Sequence, residues 1–499
     1  MRPILSAILV PLALLISGPV LAETAAKPAE PVSEKVDLPA FPADASVHQS
    51  IRLGAKTLNY TATVGSLPVR DEKGKKIAEV VYTAYVLDGP RSPDRPITFA
   101  FNGGPGAASV YLNLGAIGPK RIQFGAQGNS ASDPARLLDN QGTWLDFTDM
   151  VFIDPVGTGY SRSLVDDAET KKRFFQVKPD VEYLSRIVFD WLVKSERMAS
   201  PKYIVGESYG GYRAPAIARF LQSQLGVAPS GVVMVSPFLD ARTGVGDDIS
   251  PMPWIVNLPS MAAAHYERQG KTLSPDLLAE VETYARGDFA VDLMKGRSDP
   301  AALARLIDKV TQYSGLDPAL VRRMGGRVDA STFLRELYRE QGKIASIYDS
   351  NVTTYDPFPW SGYQRAGDPI LDAIIAPTTS AMVEFITHTV GWKVEGRFNA
   401  LSDAVNRAWE PNWYTSVESV TDLRQAVAAD PRLKVLIVHG YDDLSCPYFA
   451  SRLIVDQMPV MGDPGRVKLN LYPGGHMFYS RPDSQARFRR DVMSLFGQP

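Results

Sequence analysis

A pentapeptide near the middle of the chain constrains the fold more than any other part of the sequence. Residues 206–210 (GESYG) follow the apolar run Tyr203–Val205 and open a stretch with helical character. This order of strand, turn and helix is the context of a nucleophile elbow, in which glycines permit a turn tight enough to expose a serine hydroxyl above a sheet edge. The same pattern also occurs by chance in ordinary strand-to-helix turns. Ser208 is therefore a candidate nucleophile that needs partners elsewhere in the chain.

Two downstream segments supply a carboxylate and an imidazole. A serine hydroxyl is a weak nucleophile until an imidazole takes its proton and a carboxylate orients that imidazole. Asp443 follows the strand-like run Val435–Val438, and His476 follows the alternating stretch Val467–Tyr472. Both residues would lie just past the C-terminal ends of strands, where open α/β sheets place their sites. The chain order Ser, Asp, His is that of an α/β-hydrolase.

His476 is one of several histidines that could be the base. The chain has five histidines, and His439 is the one that also lies near Asp443, four residues before it at the end of a strand. His439 lacks the Gly-Gly turn that precedes His476, so His476 is the predicted base. The HExxH pattern is absent and the chain has one cysteine, so no metal site and no cofactor are predicted.

A glycine-rich loop is a candidate oxyanion hole. The run Ile97–Phe101 has the pattern of a buried strand, and residues 102–106 (NGGPG) follow it at once. Such glycines can turn backbone N–H groups toward a developing oxyanion. A glycine and proline turn without a function is the alternative. The loop lacks the Lys-Ser/Thr ending of a phosphate-binding loop.

Four blocks of this sequence together resemble the serine carboxypeptidases, a family with the α/β-hydrolase fold. The blocks are the glycine loop 102–106 with Gly118-Pro119 behind it, residues 152–161 (FIDPVGTGYS), the elbow 206–211, and Asp443 with His476-Met477. The resemblance implies a mostly parallel central sheet flanked by helices. It also implies hydrolysis of peptides from the C-terminus.

The resemblance assigns catalytic roles to the matching residues. It implies Ser208 as the nucleophile, His476 as the general base and acid, and Asp443 as the carboxylate that orients the imidazole. Backbone amides of Gly104 and Tyr209 would form the oxyanion hole.

Departures from the family pattern concern the end of the substrate. Asn102 and Glu207 match positions that in the family hydrogen-bond the free C-terminal carboxylate of a peptide. The usual tryptophan of this region is Ala100 here, and the usual second glutamate is Ala116. In the family the two glutamates are thought to share a proton, because two close carboxyl groups cannot both ionise cheaply. The requirement for a free terminal carboxylate and the acidic pH optimum are therefore left open.

The composition is that of a large protein with ample material for a core. The 499 residues are 45% hydrophobic and 22% charged, and the formal net charge of −2 gives no bias toward nucleic acid. A peptide substrate is the expected partner, no nucleic acid is expected, and the oligomeric state is left open.

The N-terminal segment has the pattern of a signal peptide. Arg2 precedes an apolar region and the small-residue cleavage pattern at 20–22, so residues 1–22 are predicted to be removed. The apolar region is too short for a membrane span, and an uncleaved anchor is the alternative. Residues 23–45 are predicted to be a disordered spacer. Cys446 is the single cysteine and excludes an intramolecular disulfide, so a bacterial periplasmic protein without membrane attachment is predicted.

The rest of the chain is predicted to form one core in two parts. Residues 46–240 and 431–499 would make up the α/β-hydrolase core. Residues 241–430 are not needed by the basic core and show mostly helical patterns, such as Leu278–Tyr284 and Ala302–Val310. This segment is predicted to be a large, mainly helical cap.

These observations predict a serine-type carboxypeptidase that acts through a Ser-His-Asp triad and an acyl-enzyme. Nothing in the triad distinguishes amide from ester substrates, so an esterase or acyltransferase on the same scaffold is an alternative. A non-catalytic binding protein that has kept the fold is the alternative from another functional class.

Overall fold

The computed structural model describes residues 39–499, except residues 91, 124–130, 133, 245–248, 363–365, 413, 415–416 and 498–499. The predicted signal peptide, residues 1–22, and residues 23–38 of the predicted spacer lie outside the described residues. The chain divides into Met1–Ala40 and the unit Phe41–Pro499, which holds every element below. Residues 39–44 have no regular secondary structure, and the first strand begins at Ala45.

A 10-stranded sheet runs through the centre of this unit. The strands of the described residues, in chain order, are β1 Ala45–Leu53, β2 Lys56–Arg70, β3 Lys76–Leu87, β4 Ile97–Phe101, β5 Lys120–Gln123, β6 Arg136–Asp139, β7 Asp149–Ile153, β8 Arg162–Ser163, β9 Lys202–Glu207, β10 Gly231–Val235, β11 Lys343–Ala345, β12 Thr353–Tyr355, β13 Lys434–Gly440 and β14 Val467–Tyr472. The order in the sheet is β1-β2-β3-β7-β4-β9-β10-β13-β14, with β8 paired to β3. Strands β5 and β6 pair with each other, as do β11 and β12.

The part of the sheet that carries the predicted site is parallel. Strands β7, β4, β9, β10, β13 and β14 pair in parallel, whereas β1, β2 and β3 pair in antiparallel fashion at one side. Every residue of β4, β7 and β10 is buried. Continuous burial is typical of parallel strands that are covered by helices on both faces.

Helices surround the sheet and fill the long segment between β10 and β13. The α-helices used below, in chain order, are α1 Asp167–Phe174, α2 Val177–Lys194, α3 Tyr209–Gln224, α4 Met252–Arg268, α5 Pro275–Tyr284, α6 Ala290–Lys295, α7 Pro300–Ser314, α8 Pro318–Met324, α9 Ala330–Glu336, α10 Pro369–Glu384, α11 Asp403–Ala408, α12 Val420–Ala429, α13 Tyr448–Asp456 and α14 Pro482–Leu495.

Two apolar clusters lie on opposite faces of the sheet. Within β9, Ile204 belongs to one cluster and its neighbours Tyr203 and Val205 belong to the other, as the alternation of side chains along a strand requires. Helices α2 and α3 cover the Ile204 face with their apolar stripes, which include Trp191 and Leu221. Helix α14 covers the opposite face. The sheet is therefore held between helical layers.

The segment predicted as a cap, residues 241–430, packs as more than one part. Helices α4–α9 share a third apolar cluster with residues of the core that include Tyr441 and Phe449. Helix α12 instead packs on α3 within the cluster of the sheet, and residues 381–400 belong to the cluster on the opposite face. Helix α12 thus lies inside the predicted cap segment and packs beside the sheet, and the boundary at residue 430 stays a prediction.

One helix of the described part of the chain is long and apolar enough to cross a membrane by length and composition. It consists of α10 and the helical turn that continues it, together Pro369–Thr389, 21 residues with a mean hydropathy of 1.4. Its last turns, which contain Met382 and Ile386, lie in an apolar cluster of the core. Core helices of folded proteins pass the same test, so this helix gives weak support for a membrane span.

Candidate active site

Ser208 lies in the tight turn between β9 and α3. Its φ is 61° and its ψ is −122°. A positive φ is uncommon for a residue that carries a β-carbon and is typical of strained functional turns. A β-carbon on Gly206 would clash with the backbone of Gly210, so the turn requires glycine there. Ser208 is half-buried, whereas Glu207 and Tyr209 on either side are buried, so the turn leaves the serine accessible.

The predicted acid and base are paired beside this turn. His476 follows β14 and Asp443 follows β13, and Nδ1 of His476 lies 2.7 Å from Oδ2 of Asp443. The other oxygen of Asp443 accepts hydrogen bonds from the amides of Ser445 at 2.8 Å and Cys446 at 2.9 Å. Burial disfavours the imidazolium, but the Asp443 carboxylate outweighs it and raises the pKa of His476 well above its usual value. This pair leaves Nε2 of His476 for the serine.

The thiol of Cys446 lies close to the predicted acid and base. Burial raises the pKa of this thiol and outweighs the effects of His476 and Ser208, which act in the opposite direction. One ligand atom each of Asp443, Cys446 and His476 lies within 4.8 Å of the others. Nδ1 of the imidazole and Oδ2 of the carboxylate are hydrogen-bonded to each other. Cys446 is buried, and the structure places its thiol beside His476.

His439, the rival base, is bonded elsewhere. Its Nε2 lies 2.8 Å from Oγ of Ser451 on α13. The pKa of His439 is lowered to about 3, mainly by burial and also by the charge of His476. An imidazole with so low a pKa is a weak base, and its Nε2 is already hydrogen-bonded to Ser451, so His439 is a poor candidate for the base.

The glycine loop lies against the first turn of α3. A β-carbon on Gly103 would lie 2.5 Å from the amide nitrogen of Tyr209 and 2.7 Å from that of Gly210. Gly104 has a φ of 101°, which favours glycine. The loop that holds Gly104 and the amide of Tyr209 are therefore neighbours. Their role as an oxyanion hole stays a prediction.

A buried arginine that the sequence did not single out supports this loop. Arg213 on α3 donates to the carbonyl of Asn102 at 2.7 Å. It also forms a two-point ion pair with Asp180 on α2, at 2.7 Å and 3.2 Å. Both side chains are buried, and a buried arginine needs such a paired carboxylate. Asp180 and Arg213 are 33 positions apart, so no local sequence pattern indicated this pair.

Asn102 and Glu207, the predicted substrate-binding pair, are hydrogen-bonded to each other. Nδ2 of Asn102 donates to Oε2 of Glu207 at 2.7 Å, and Oδ1 of Asn102 accepts from the amide of Leu112 at 2.9 Å. The other oxygen of Glu207 accepts from the hydroxyl of Tyr479 at 2.8 Å. Tyr479 is a residue that the sequence analysis missed. Its position three residues after His476 was the available signal.

The guanidinium of Arg481 contacts three carboxyl groups near the turns that hold Asp443 and His476. It lies 3.0 Å from Oδ2 of Asp349 and 3.5 Å from Oδ2 of Asp442, and it also contacts Glu267. Asp349 accepts from the amide of Gly475 at 3.0 Å, next to the base. Burial, with the charges of Asp349 and Glu267, raises the pKa of Asp442 well above its usual value. The cluster ties α4 to the turns that hold the acid and the base.

Comparison with known proteins gives matches over most of the chain. Residues 59–228 match the family model described as serine carboxypeptidase. The pheromone-processing carboxypeptidase KEX1 of Yarrowia lipolytica is 33% identical over 390 residues, which cover 74% of this chain and 54% of that protein. Serine carboxypeptidase-like 50 of Arabidopsis thaliana is 30% identical over 172 residues, 34% of this chain and 35% of that protein. The chain thus spans about half, 54%, of the length of the KEX1 relatives that match most of it.

A solved structure has the same overall fold. The crystal structure of Kex1, a prohormone-processing carboxypeptidase from Saccharomyces cerevisiae, aligns with a TM-score of 0.53 at 16% identity, covering 87% of this chain and 91% of that one. At this identity the likeness concerns the fold, and it confirms the predicted α/β-hydrolase architecture. The glycine loop 102–106 and the elbow 206–211 both lie within the residues matched by the family model. The chain is therefore similar to the serine carboxypeptidases in sequence and in fold.

Proposed function

We propose that this protein is a serine-type carboxypeptidase, which hydrolyses peptides from the C-terminus through an acyl-enzyme. The observation that carries the proposal is the 2.7 Å hydrogen bond between His476 and Asp443 beside the turn of Ser208. The similarity to serine carboxypeptidases supports a peptide as the substrate. The KEX1 relatives are named pheromone-processing carboxypeptidases. For this chain we propose the carboxypeptidase activity and not the pheromone substrate.

The first half of the reaction acylates Ser208. Its Oγ attacks the carbonyl carbon of the scissile peptide bond, and its proton passes to Nε2 of His476. Asp443 stabilises the imidazolium that forms. The amides of Gly104 and Tyr209 donate to the oxyanion. The C–N bond then breaks, and the imidazolium gives its proton to the leaving amino group.

The second half releases the shortened peptide. A water molecule attacks the ester carbonyl while His476 takes one of its protons. The tetrahedral intermediate collapses, the bond to Oγ breaks, and the imidazolium returns a proton to Ser208. The same base thus serves both halves of the reaction.

The exopeptidase part of the proposal rests on Glu207 and Asn102, which adjoin the nucleophile. A protonated carboxyl group can donate a hydrogen bond to the carboxylate of a substrate, whereas an ionised one repels it. Burial raises the pKa of Glu207, and it outweighs His476, Tyr479 and Asn102, which act in the opposite direction. The protonated form of Glu207 therefore persists above the usual range of a glutamate.

Binding of a peptide with a free C-terminal carboxylate is expected to weaken as the pH rises through the pKa of Glu207. KM should then rise, because the ionised carboxylate of Glu207 repels that of the substrate. The Glu207→Gln variant keeps an N–H donor at every pH and should flatten this rise. The measurement is KM of wild type and variant between about pH 5 and about pH 8.

The same peptide with an amidated C-terminus is the control for this measurement. It has no terminal charge, so its KM should not follow the ionisation of Glu207. Equal cleavage of the amidated and the free-acid peptide across the range would exclude recognition of the terminal carboxylate. The esterase, acyltransferase or endopeptidase alternative would then be favoured.

We also propose that the protein is exported and acts in a bacterial periplasm. Arg2, the apolar region after it and the small residues at 20–22 support an export signal, and the single Cys446 is compatible with an oxidising compartment. The relatives described above are fungal and plant proteins. The mature protein isolated from a periplasmic extract should begin at Glu23, as N-terminal sequencing would detect. Recovery of a chain that still begins at Met1 would contradict cleavage.

A further inference from the structure

The buried carboxyl group of Glu207 is hydrogen-bonded to a phenol and to an amide. Tyr479 donates to Oε1 at 2.8 Å and Asn102 donates to Oε2 at 2.7 Å, so each oxygen has a neutral donor. The position at which the resemblance leads us to expect a second acid is Ala116, a buried apolar residue. No second carboxyl group among the described residues hydrogen-bonds Glu207.

The glycine at position 115 makes room for the ring of Tyr479. A β-carbon added to Gly115 would lie 3.3 Å from Cε2 of Tyr479, so the phenol ring lies directly against this glycine. Tyr479 belongs to the short turn Phe478–Ser480, which follows the catalytic base. Arg121 donates to the carbonyl of Ser480 at 3.0 Å and holds the end of this turn. The phenol is therefore placed by the same loop that places His476.

A phenol and a carboxyl group affect Glu207 in opposite directions. A second carboxyl group raises the pKa of its neighbour, because both cannot ionise cheaply at short distance. A tyrosine hydroxyl stays protonated far above neutral pH and donates to the charged form of Glu207. Tyr479 is buried, and burial with the charge of Glu207 raises its own pKa well above the usual value. It therefore remains a donor over the whole working range.

Other titratable groups around Glu207 also influence whether its carboxyl group is ionised. The charge of His476 lowers the pKa of Glu207 and the charge of Asp443 raises it. Two further phenols, Tyr111 and Tyr348, interact electrostatically with Glu207, and Arg121 interacts with Tyr479. Tyr479 is the phenol in this group that hydrogen-bonds the carboxyl group of Glu207. Its effect can therefore be separated from theirs by substitution.

We propose that Tyr479 is a specificity-determining residue, which through its contact with Glu207 sets the pH range over which the enzyme accepts a free C-terminal carboxylate. This inference rests on the proposed carboxypeptidase function. Through its hydrogen bond, Tyr479 favours the ionised form of Glu207. It thereby limits binding of the free acid to lower pH than the same site would allow without the phenol.

The test is the pH profile of KM for a free-acid peptide in the Tyr479→Phe variant. Loss of the donor should raise the pKa of Glu207 and move the rise of KM to higher pH by about one to two units. The pH profile of kcat should stay in place, because it follows His476. A packing role alone would lower thermal stability without moving the KM profile.

Tyr111→Phe is the matched control, because Tyr111 is a buried phenol near Glu207 whose hydroxyl has no hydrogen-bond partner among the described residues. Its KM profile should keep the wild-type position. If Tyr479→Phe does not fold, Tyr479→Gln and Tyr479→Met give the same comparison, since the two side chains are similar in size and only glutamine is a donor. The glutamine variant should stay closer to wild type, and the methionine variant should shift.

Two results would overturn the inference, and they are distinguishable. In the first, wild type prefers the free acid, but its KM profile coincides with that of Tyr479→Phe, or the glutamine and methionine variants shift equally. The proposed role of Tyr479 is then wrong, while the carboxypeptidase proposal stands. If wild type cleaves amidated and free-acid peptides equally, the carboxypeptidase proposal and the inference both fail.

Discussion

The Ser208→Ala variant is expected to fold and bind peptide, but to have a kcat about 10⁴- to 10⁶-fold below that of the wild type. The attacking oxygen is the only atom lost, and no other side chain in the elbow replaces it. His476→Ala should cost about as much. The double variant should be no slower than either single one, because the two residues act as a unit. The measurement is kcat for a free-acid peptide, with circular dichroism to establish that each variant is folded.

Ser223→Ala is the matched control for this prediction. Ser223 is an exposed serine near the end of the same helix, α3, where it donates to the carbonyl of Arg219 at 2.9 Å. Its removal should leave kcat unchanged. A fluorophosphonate probe should label wild type and Ser223→Ala but not Ser208→Ala. A wild-type protein that is not labelled would contradict the triad and favour the non-catalytic binding protein.

Replacing either of two adjacent aspartates is expected to have very different effects. Asp443→Asn should lower kcat by about 10⁴-fold, because the amide cannot stabilise the imidazolium and favours the wrong tautomer of His476. Asp442→Asn should change kcat by no more than a few-fold. The carboxyl group of Asp442 faces Arg481 in the buried cluster, 3.5 Å from the guanidinium, and not the imidazole. The measurement is kcat of both variants under the same conditions.

Thermal stability gives a second readout for Asp442. Burial, with the charges of Asp349 and Glu267, raises the pKa of Asp442 in the folded state. The folded protein then binds more protons at this site than the unfolded chain, so the site favours folding less as the pH rises above the unfolded pKa of about 3.9. The Asp442→Asn variant has no carboxyl group to ionise here, so it does not lose this stability as the pH rises. Its Tm at neutral pH should equal or exceed that of wild type.

An inactive Asp442→Asn variant beside an active Asp443→Asn variant would show that the acid of the triad is Asp442 and not Asp443.

Several parts of the site could be read from the sequence because they depend on local backbone geometry. The predicted strand Ile97–Phe101 coincides with β4, and the predicted stretch Val467–Tyr472 coincides with β14. Glycines at the elbow permit a turn with a φ of 61° at Ser208. The periodicity of apolar side chains and the positions of turn residues are properties of short segments, so they predict the local structure of the folded chain.

The extent of the cap could not be read in the same way. Helix α12 falls inside the segment predicted as the insertion, yet it packs on α3 beside the sheet. An amphipathic helix shows that it covers an apolar surface, but its sequence does not say which one. The division of residues 241–430 between cap and core is a matter of packing.

The sequence by itself determined the α/β-hydrolase fold and the order of the three predicted triad residues. Only the tertiary structure decided which phenol hydrogen-bonds Glu207, because Tyr479 and Glu207 are 272 positions apart. The same holds for Arg213 with Asp180 and for Arg481 with its carboxyl groups. Local patterns specify which elements form and in which order. Which polar side chains meet between those elements depends on packing, because a buried polar group bonds to whatever partner the assembled core brings within reach.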